Sequence, residues 1–165
     1  VFIILSNGLQ SKIGTISSTY KFFNEWKRIN ETDNPDIDLV TMIKGTCSKS
    51  YFMDLFENFI AYEELNGETI KILAKNHQYL GVNKVINNIK SINDLQGKLG
   101  VFWHTQGSGK SYSMFFLSEK HFHHNLPINF STNRNHWCTT EQAYIYPGCC
   151  ERSIICAVSK ITTCS

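Results

Sequence analysis

Val1-Phe2-Ile3-Ile4-Leu5 is an unbroken apolar run, and Ser6-Asn7-Gly8 closes it with a turn signature. The run predicts a buried strand. Gln10 to Thr19 is polar, with β-branched residues and Gly14 interspersed. Phe22, Phe23, Trp26 and Ile29 then recur at spacings of three and four, the period of a short amphipathic helix. Glu31 to Asp38 is polar, contains Pro35 and is the best candidate for a linker. Residues 50–66 predict a longer helix: Phe52, Leu55, Phe56, Phe59 and Ile60 form one apolar stripe, read as core, and Gly67 stands where a C-terminal cap glycine belongs. Ile70, Ile72 and Leu73 predict a short strand or edge segment. A further helix is predicted from His77 to Ile92, with Leu80, Val82, Val85, Ile86 and Ile89 facing inward. Leu99 to Trp103 reads as a buried strand that runs into a glycine-rich loop, and Tyr112 to Glu119 as the helix after that loop. There are no internal repeats and no low-complexity segments.

Composition narrows the class. A chain of 165 residues has room for one domain or pieces of two, and 42% hydrophobic with 18% charged residues is a globular mixture. The formal net charge of +2 neither demands nor excludes a polyanionic partner. No apolar run approaches the roughly 20 residues that span a bilayer, so no membrane partner is expected. The opening run is too short for a signal peptide and has no basic residues before it. With no initiator methionine, a strand at residue 1 reads as the interior of a longer protein. Cysteine usage is uneven: Cys47 stands alone in residues 1–120, whereas Cys138, Cys149, Cys150, Cys156 and Cys164 crowd the last 45 residues. The first part has the cysteine content of an ordinary cytosolic protein.

The strongest chemical signature is Gly107-Ser108-Gly109-Lys110-Ser111. Strand, glycine-rich loop, Lys-Ser and helix is the order of a phosphate-cradling P-loop. Glycines let the backbone take positive φ and approach a ligand closely. Successive N–H groups and the helix N-terminus then face the phosphates. Lys110 is placed to meet the β- and γ-phosphates of ATP, and the Ser111 hydroxyl to ligate Mg²⁺. The loop residues His104, Thr105, Gln106, Gly107, Ser108 and Gly109 complete the candidate site. The strict consensus wants a glycine six residues before the lysine, where this chain has His104. The bland alternative is a solvent-exposed Gly/Ser turn before a helix.

The run Gly100-Val-Phe-Trp-His-Thr-Gln-Gly-Ser-Gly-Lys-Ser-Tyr-Ser-Met114 resembles the first helicase motif of the restriction (R) subunit of type I restriction–modification enzymes. That family commonly carries a histidine at the position of His104, so the departure from the generic P-loop is a point of agreement. Lys75-Asn76-His77-Gln78-Tyr79-Leu80-Gly81-Val82 resembles the segment before motif I in superfamily 2 helicases, where a glutamine contacts adenine. Gln78 is the matching residue; without the resemblance it reads as a solvated helix residue. Ser6 to Thr15 and Phe22 to Lys27 resemble the family's stretch just after its nuclease core. The resemblance covers roughly residues 1–120. It implies an α/β chain: the trailing part of a PD-(D/E)xK-type nuclease domain (1–30), a helical connector (31–69), and the start of a RecA-like P-loop motor domain (70–120). It further implies ATP and Mg²⁺ as cofactors, double-stranded DNA and the methylase and specificity subunits as partners, and a cytoplasmic location. The family's nuclease carboxylates would lie before residue 1. No Asp-Glu box follows motif I in this sequence, so the chain is expected to bind ATP without turning it over.

Beyond about Lys120 the resemblance decays, although Thr132-Asn133-Arg134 has the look of a relic of the family's Thr-Asp-Arg motif. Three readings of residues 121–165 stand side by side: an out-of-frame or degenerate continuation, a divergent surface segment, or a metal site built from His121, His123, His124, Cys138, Cys149 and Cys150. The last lacks any C-x₂-C spacing. For the chain as a whole, a different P-loop enzyme such as a small nucleotide kinase and a remnant with weak or no ATP binding are the alternatives to a restriction motor.

Overall fold

The computed structural model describes residues 2–91, 94, 100–103, 108–123 and 142–145. Helices and two-stranded antiparallel sheets alternate along the chain. The contacts divide it into two compact units, Val1–Leu80 and Gly81–Ser165.

The first unit opens with a hairpin. Strand β1 (Phe2–Ser6) pairs with β2 (Ser11–Thr15) from Phe2↔Thr15 to Ser6↔Ser11. Asn7 makes the turn: its Oδ1 accepts from the N–H of Leu9 at 3.0 Å and of Gln10 at 2.8 Å, a side-chain mimic of a backbone turn. β1 is not the buried strand its composition predicts. Phe2, Ile3 and Ile4 are half-buried and Leu5 is exposed. β2 is the more buried of the two, with Ser11, Ile13 and Thr15 nearly inaccessible. The Ser11 hydroxyl donates to the carbonyls of Ile37 and Asp38, and the Thr15 hydroxyl to the carbonyl of Lys71 at 2.6 Å.

Those long-range bonds overturn two local readings. The segment 22–29 is not an amphipathic helix. A single 3₁₀ turn, Tyr20–Phe22, gives way to extended chain in which Asn24 and Ile13 exchange both backbone hydrogen bonds at 2.8 Å. Trp26 is buried, but Phe22 is exposed. Residues 31–38 are a tethered loop: Asp36 N–H donates to the Lys27 carbonyl and Ser11 N–H to that of Ile37.

Helix α1 (Leu39–Cys47) follows, with Asp38 as N-cap accepting from the Thr41 N–H at 2.8 Å. Ser48 separates it from α2 (Lys49–Asn58). The helix predicted over 50–66 thus ends at Asn58, and its second half is strand β3 (Ile60–Leu65), antiparallel to β4 (Glu68–Leu73). Asn66 and Gly67, at φ 54° and 82°, form the positive-φ pair of a two-residue hairpin rather than a helix cap. Of the stripe, Leu55 and Phe59 are core, whereas Phe52 and Phe56 are exposed.

Helix α3 (Asn76–Lys90) begins in the first unit. Tyr79, on its first turn, packs its ring against Trp26, Tyr51 and Phe59 at centroid distances of 5.4, 5.9 and 4.7 Å. With Ile13, Met42 and Leu55 these rings form the first unit's core. The second unit takes the rest of α3, with Val82, Val85, Ile86 and Ile89 buried as the periodicity predicts. It adds β5 (Gly100–Trp103), helix α4 (Lys110–His123) with Phe116 and Leu117 buried, and β6 (Gln142–Ile145), antiparallel to β5. Among the described residues, no helix is long and apolar enough to cross a membrane.

Candidate nucleotide-binding site

Gly109 takes φ 87°, a conformation that side chains with a Cβ rarely adopt. From it the chain enters α4 directly: Lys110 is the first helical residue and Ser111 the second. The Ser113 N–H reaches back to the Gly109 carbonyl at 3.2 Å and closes the first turn. The N–H groups of a helix's first turn have no intrahelical acceptor, so this end presents donors and a partial positive charge. No acidic side chain in that turn offsets it. Ser111 is exposed, and Ser108, Gly109 and Lys110 are half-buried. The hydroxyl oxygens of Ser108 and Ser113 are buried with no hydrogen-bond partner among the described residues. His104, Thr105, Gln106 and Gly107 lie outside the described residues. Backbone donors at a helix N-terminus, a positive-φ glycine and a nearby hydroxyl are groups suited to an anion such as phosphate.

Gln78 sits on the first turn of α3 and is only 2% exposed, so the solvated-residue reading does not hold. Its Oε1 accepts from the Lys75 N–H at 2.8 Å, three residues back. That is the return half of a capping box, in which the third helical residue satisfies the N-cap amide. Asn76 fixes the same corner. Its amide donates to the Arg28 carbonyl at 2.8 Å and its oxygen accepts from the Arg28 N–H at 3.2 Å. Gln78 and Lys110 belong to the first and second units respectively.

One interaction is not foreseen in the sequence. Lys120, 6% exposed, donates through Nζ to Asn83 Oδ1 at 2.6 Å and so ties α4 to α3 within the second unit. The available signal is spacing: 113, 116, 117 and 120 form the buried stripe of α4, with a lysine at its end. No group of three or more metal-ligating side chains occurs among the described residues. Of the six residues of the postulated Cys/His site, His121 and His123 lie in the last turn of α4. His124, Cys138, Cys149 and Cys150 fall outside the described residues, as does Thr132-Asn133-Arg134.

The family model described as SWI2/SNF2 ATPase matches residues 77–135, a span that begins beside Gln78 and contains Lys110 and Ser111. Among curated proteins, the chain is 33% identical over 126 residues to the type I restriction enzyme HindI endonuclease subunit of Haemophilus influenzae, a match covering 72% of this chain and 12% of that protein. The chain is a relative of the type I restriction endonuclease subunits. A second, the putative MjaIXP endonuclease subunit of Methanocaldococcus jannaschii, is 27% identical over 72% of this chain and 13% of its own length. The putative MjaVIIP subunit of the same organism is 35% identical over 52% of this chain and 9% of its own length. The chain therefore spans about an eighth of the length of the first two. The resemblance to the R subunit of type I restriction enzymes is borne out, and with it the relation to a helicase-like ATPase family.

Proposed function

We propose that this chain carries the ATP-binding element of a type I restriction motor. The observation that supports it best is the coincidence of two independent features at one place. The SWI2/SNF2 ATPase match runs from His77 past Ser111, and within it a positive-φ glycine feeds Lys110 into the start of a helix. In this reading His104, Thr105, Gln106, Gly107, Ser108 and Gly109 are the phosphate-binding residues before the helix, Lys110 would meet the β- and γ-phosphates, and the Ser111 hydroxyl would hold Mg²⁺. A metal held there would supply charge neutralisation to the phosphates. Gln78 is the adenine contact in this reading, an amide being able both to donate to and to accept from the base edge.

The same reading extends to the rest of the chain and to the whole enzyme. Residues 1–30 are the trailing edge of a nuclease domain, 31–69 a connector, and residues from about 70 onward the opening of a RecA-like motor. In the whole enzyme, ATP hydrolysis drives duplex DNA past the motor, and methylase and specificity subunits choose the site. The location is the cytoplasm, where restriction acts.

Calorimetric titration of the purified chain with ATP and Mg²⁺ tests the reading. Micromolar binding is expected in the unaltered chain, and its loss, at least 100-fold in affinity, in Lys110→Ala. Equal binding by both proteins, or none by either, removes the nucleotide site from this chain.

A further inference from the structure

A cavity of about 350 Å³ in the first unit is lined by Lys12, Lys27, Lys75 and His77 together with Phe23, Asn24, Glu25 and Asn76. The chain's own pairing builds it. Ile13 and Asn24 exchange backbone hydrogen bonds, which lays the extended segment 23–27 along β2 and brings Lys12 to the level of Glu25. The two-residue period of extended chain turns Phe23, Glu25 and Lys27 to one side. Asn76 then clips the Arg28 backbone to the start of α3, which adds Lys75 and His77 to the wall.

The charge of this wall is unlike that of its surroundings. Residues 1–80 hold eight Lys and Arg against ten Asp and Glu. The cavity nevertheless gathers three lysines and a single carboxylate. That carboxylate, Glu25, is paired with Lys27 at 3.0 Å. Lys12 stands with its Nζ 4.9 Å from the centre of the Tyr20 ring, an interaction that holds the cation without neutralising it. Lys27 is exposed, and Lys12 and Lys75 are half-buried. Cations on half-solvated stems, supplied by three separate segments, suit a solvated phosphodiester backbone better than a small buried anion.

We propose that this cleft is a phosphate-binding surface for duplex DNA, separate from the P-loop, with Lys12, Lys27 and Lys75 as the cations that meet the backbone and Glu25 as the group that moderates them. The identity of the partner rests on the restriction-motor reading; the charge asymmetry of the cleft does not. Binding of this kind is blind to base sequence and strongly salt-dependent.

The test uses the full chain, a short fluorescent DNA duplex of arbitrary sequence, and a titration at several salt concentrations. Lys12→Gln combined with Lys27→Gln is expected to raise the dissociation constant on the order of tenfold and to lower the slope of log K against log salt by about two, one for each phosphate that no longer meets a lysine. Glu25→Gln is expected to act in the opposite direction and tighten binding severalfold, which misfolding cannot imitate. ATP affinity, measured alongside, is expected to stay within twofold in all variants. Three results overturn the proposal: no binding by the unaltered chain at low salt, an unchanged constant and slope in the double variant, or weaker binding in Glu25→Gln. So does a parallel loss of ATP affinity in the lysine variants, which would give the cavity to the nucleotide. The ATP measurement on Lys110→Ala stands or falls independently of these outcomes.

Discussion

Single residues show most plainly where close approach, rather than hydrophobicity, decides the packing. Gly45 lies in α1 against the buried indole of Trp26, and a Cβ built on it would stand 2.6 Å from the indole Cδ1. In an open helix, alanine in place of glycine stabilises by about 1 kcal/mol. Here the added methyl must displace a rigid ring that is 1% exposed, and overpacking of that kind costs about 1–3 kcal/mol. The second effect wins. Gly45→Ala is expected to destabilise the chain by roughly 1–2 kcal/mol, read as a lower urea midpoint with an unchanged slope; a higher midpoint would show that the indole has room to move. Trp26 could be read from the sequence as a core residue, but the partner that fixes its position is nineteen residues away and carries no side chain to advertise it. Gln78 shows the same limit from the other side. The family motif points to it, yet nothing in the local sequence shows that it is buried and already caps its own helix.

At the scale of elements, periodicity is a reliable guide where a segment packs by one face and misleads where a distant strand claims its backbone. The helix predicted from His77 is observed from Asn76, and the strand and helix predicted on either side of the glycine-rich segment are observed as β5 and α4. By contrast, 22–29 has helical spacing but its amides are taken by β2. The stripe over 52–60 runs on past the end of α2, because Phe59 and Ile60 continue a helical spacing while the chain turns into β3. The correcting signal is Asn66-Gly67, a dipeptide that favours a tight hairpin and hence strands on both sides. Helix α1 is signalled by Asp38, whose N-cap role carries a pH dependence. Hydrogen bonds from the Thr41 side chain and then its backbone N–H hold the Asp38 carboxyl below its ordinary value. A depressed folded value means the contribution is complete above the unfolded pKa of about 3.9, and is lost as pH falls through the lower folded value. The melting temperature of Asp38→Ala should therefore lie below that of the unaltered chain at neutral pH, and the gap should close in acid. A gap that stays as wide in strong acid, once the carboxyl is protonated in both states, would mean the aspartate stabilises α1 by something other than its charge.

At the scale of the whole molecule, the decisive feature is that α3 is one continuous helix through the boundary between the units at Leu80 and Gly81. Its first turn gives Tyr79 to the aromatic core of the first unit, and its later turns give Val82, Val85, Ile86 and Ile89 to the second. A helix forms cooperatively, so neither unit can lose its share of α3 without fraying the share of the other. ATP bound at the site proposed around Lys110 is then expected to stabilise both. At a hundredfold excess over its dissociation constant, a ligand adds about 2.7 kcal/mol of stability, which for a chain of this size raises the melting temperature by roughly 5–10 °C. The chain has three tryptophans, Trp26, Trp103 and Trp137, of which only Trp26 lies in the first unit. In a variant with Trp103→Phe and Trp137→Phe, fluorescence reports on the first unit alone. Its melting is expected to shift with ATP and Mg²⁺ as far as the helical circular dichroism does, and Lys110→Ala is expected to remove both shifts together. If Trp26 melts at the same temperature with and without ATP while the dichroism moves, α3 breaks at the boundary, and the nucleotide stabilises the second unit alone.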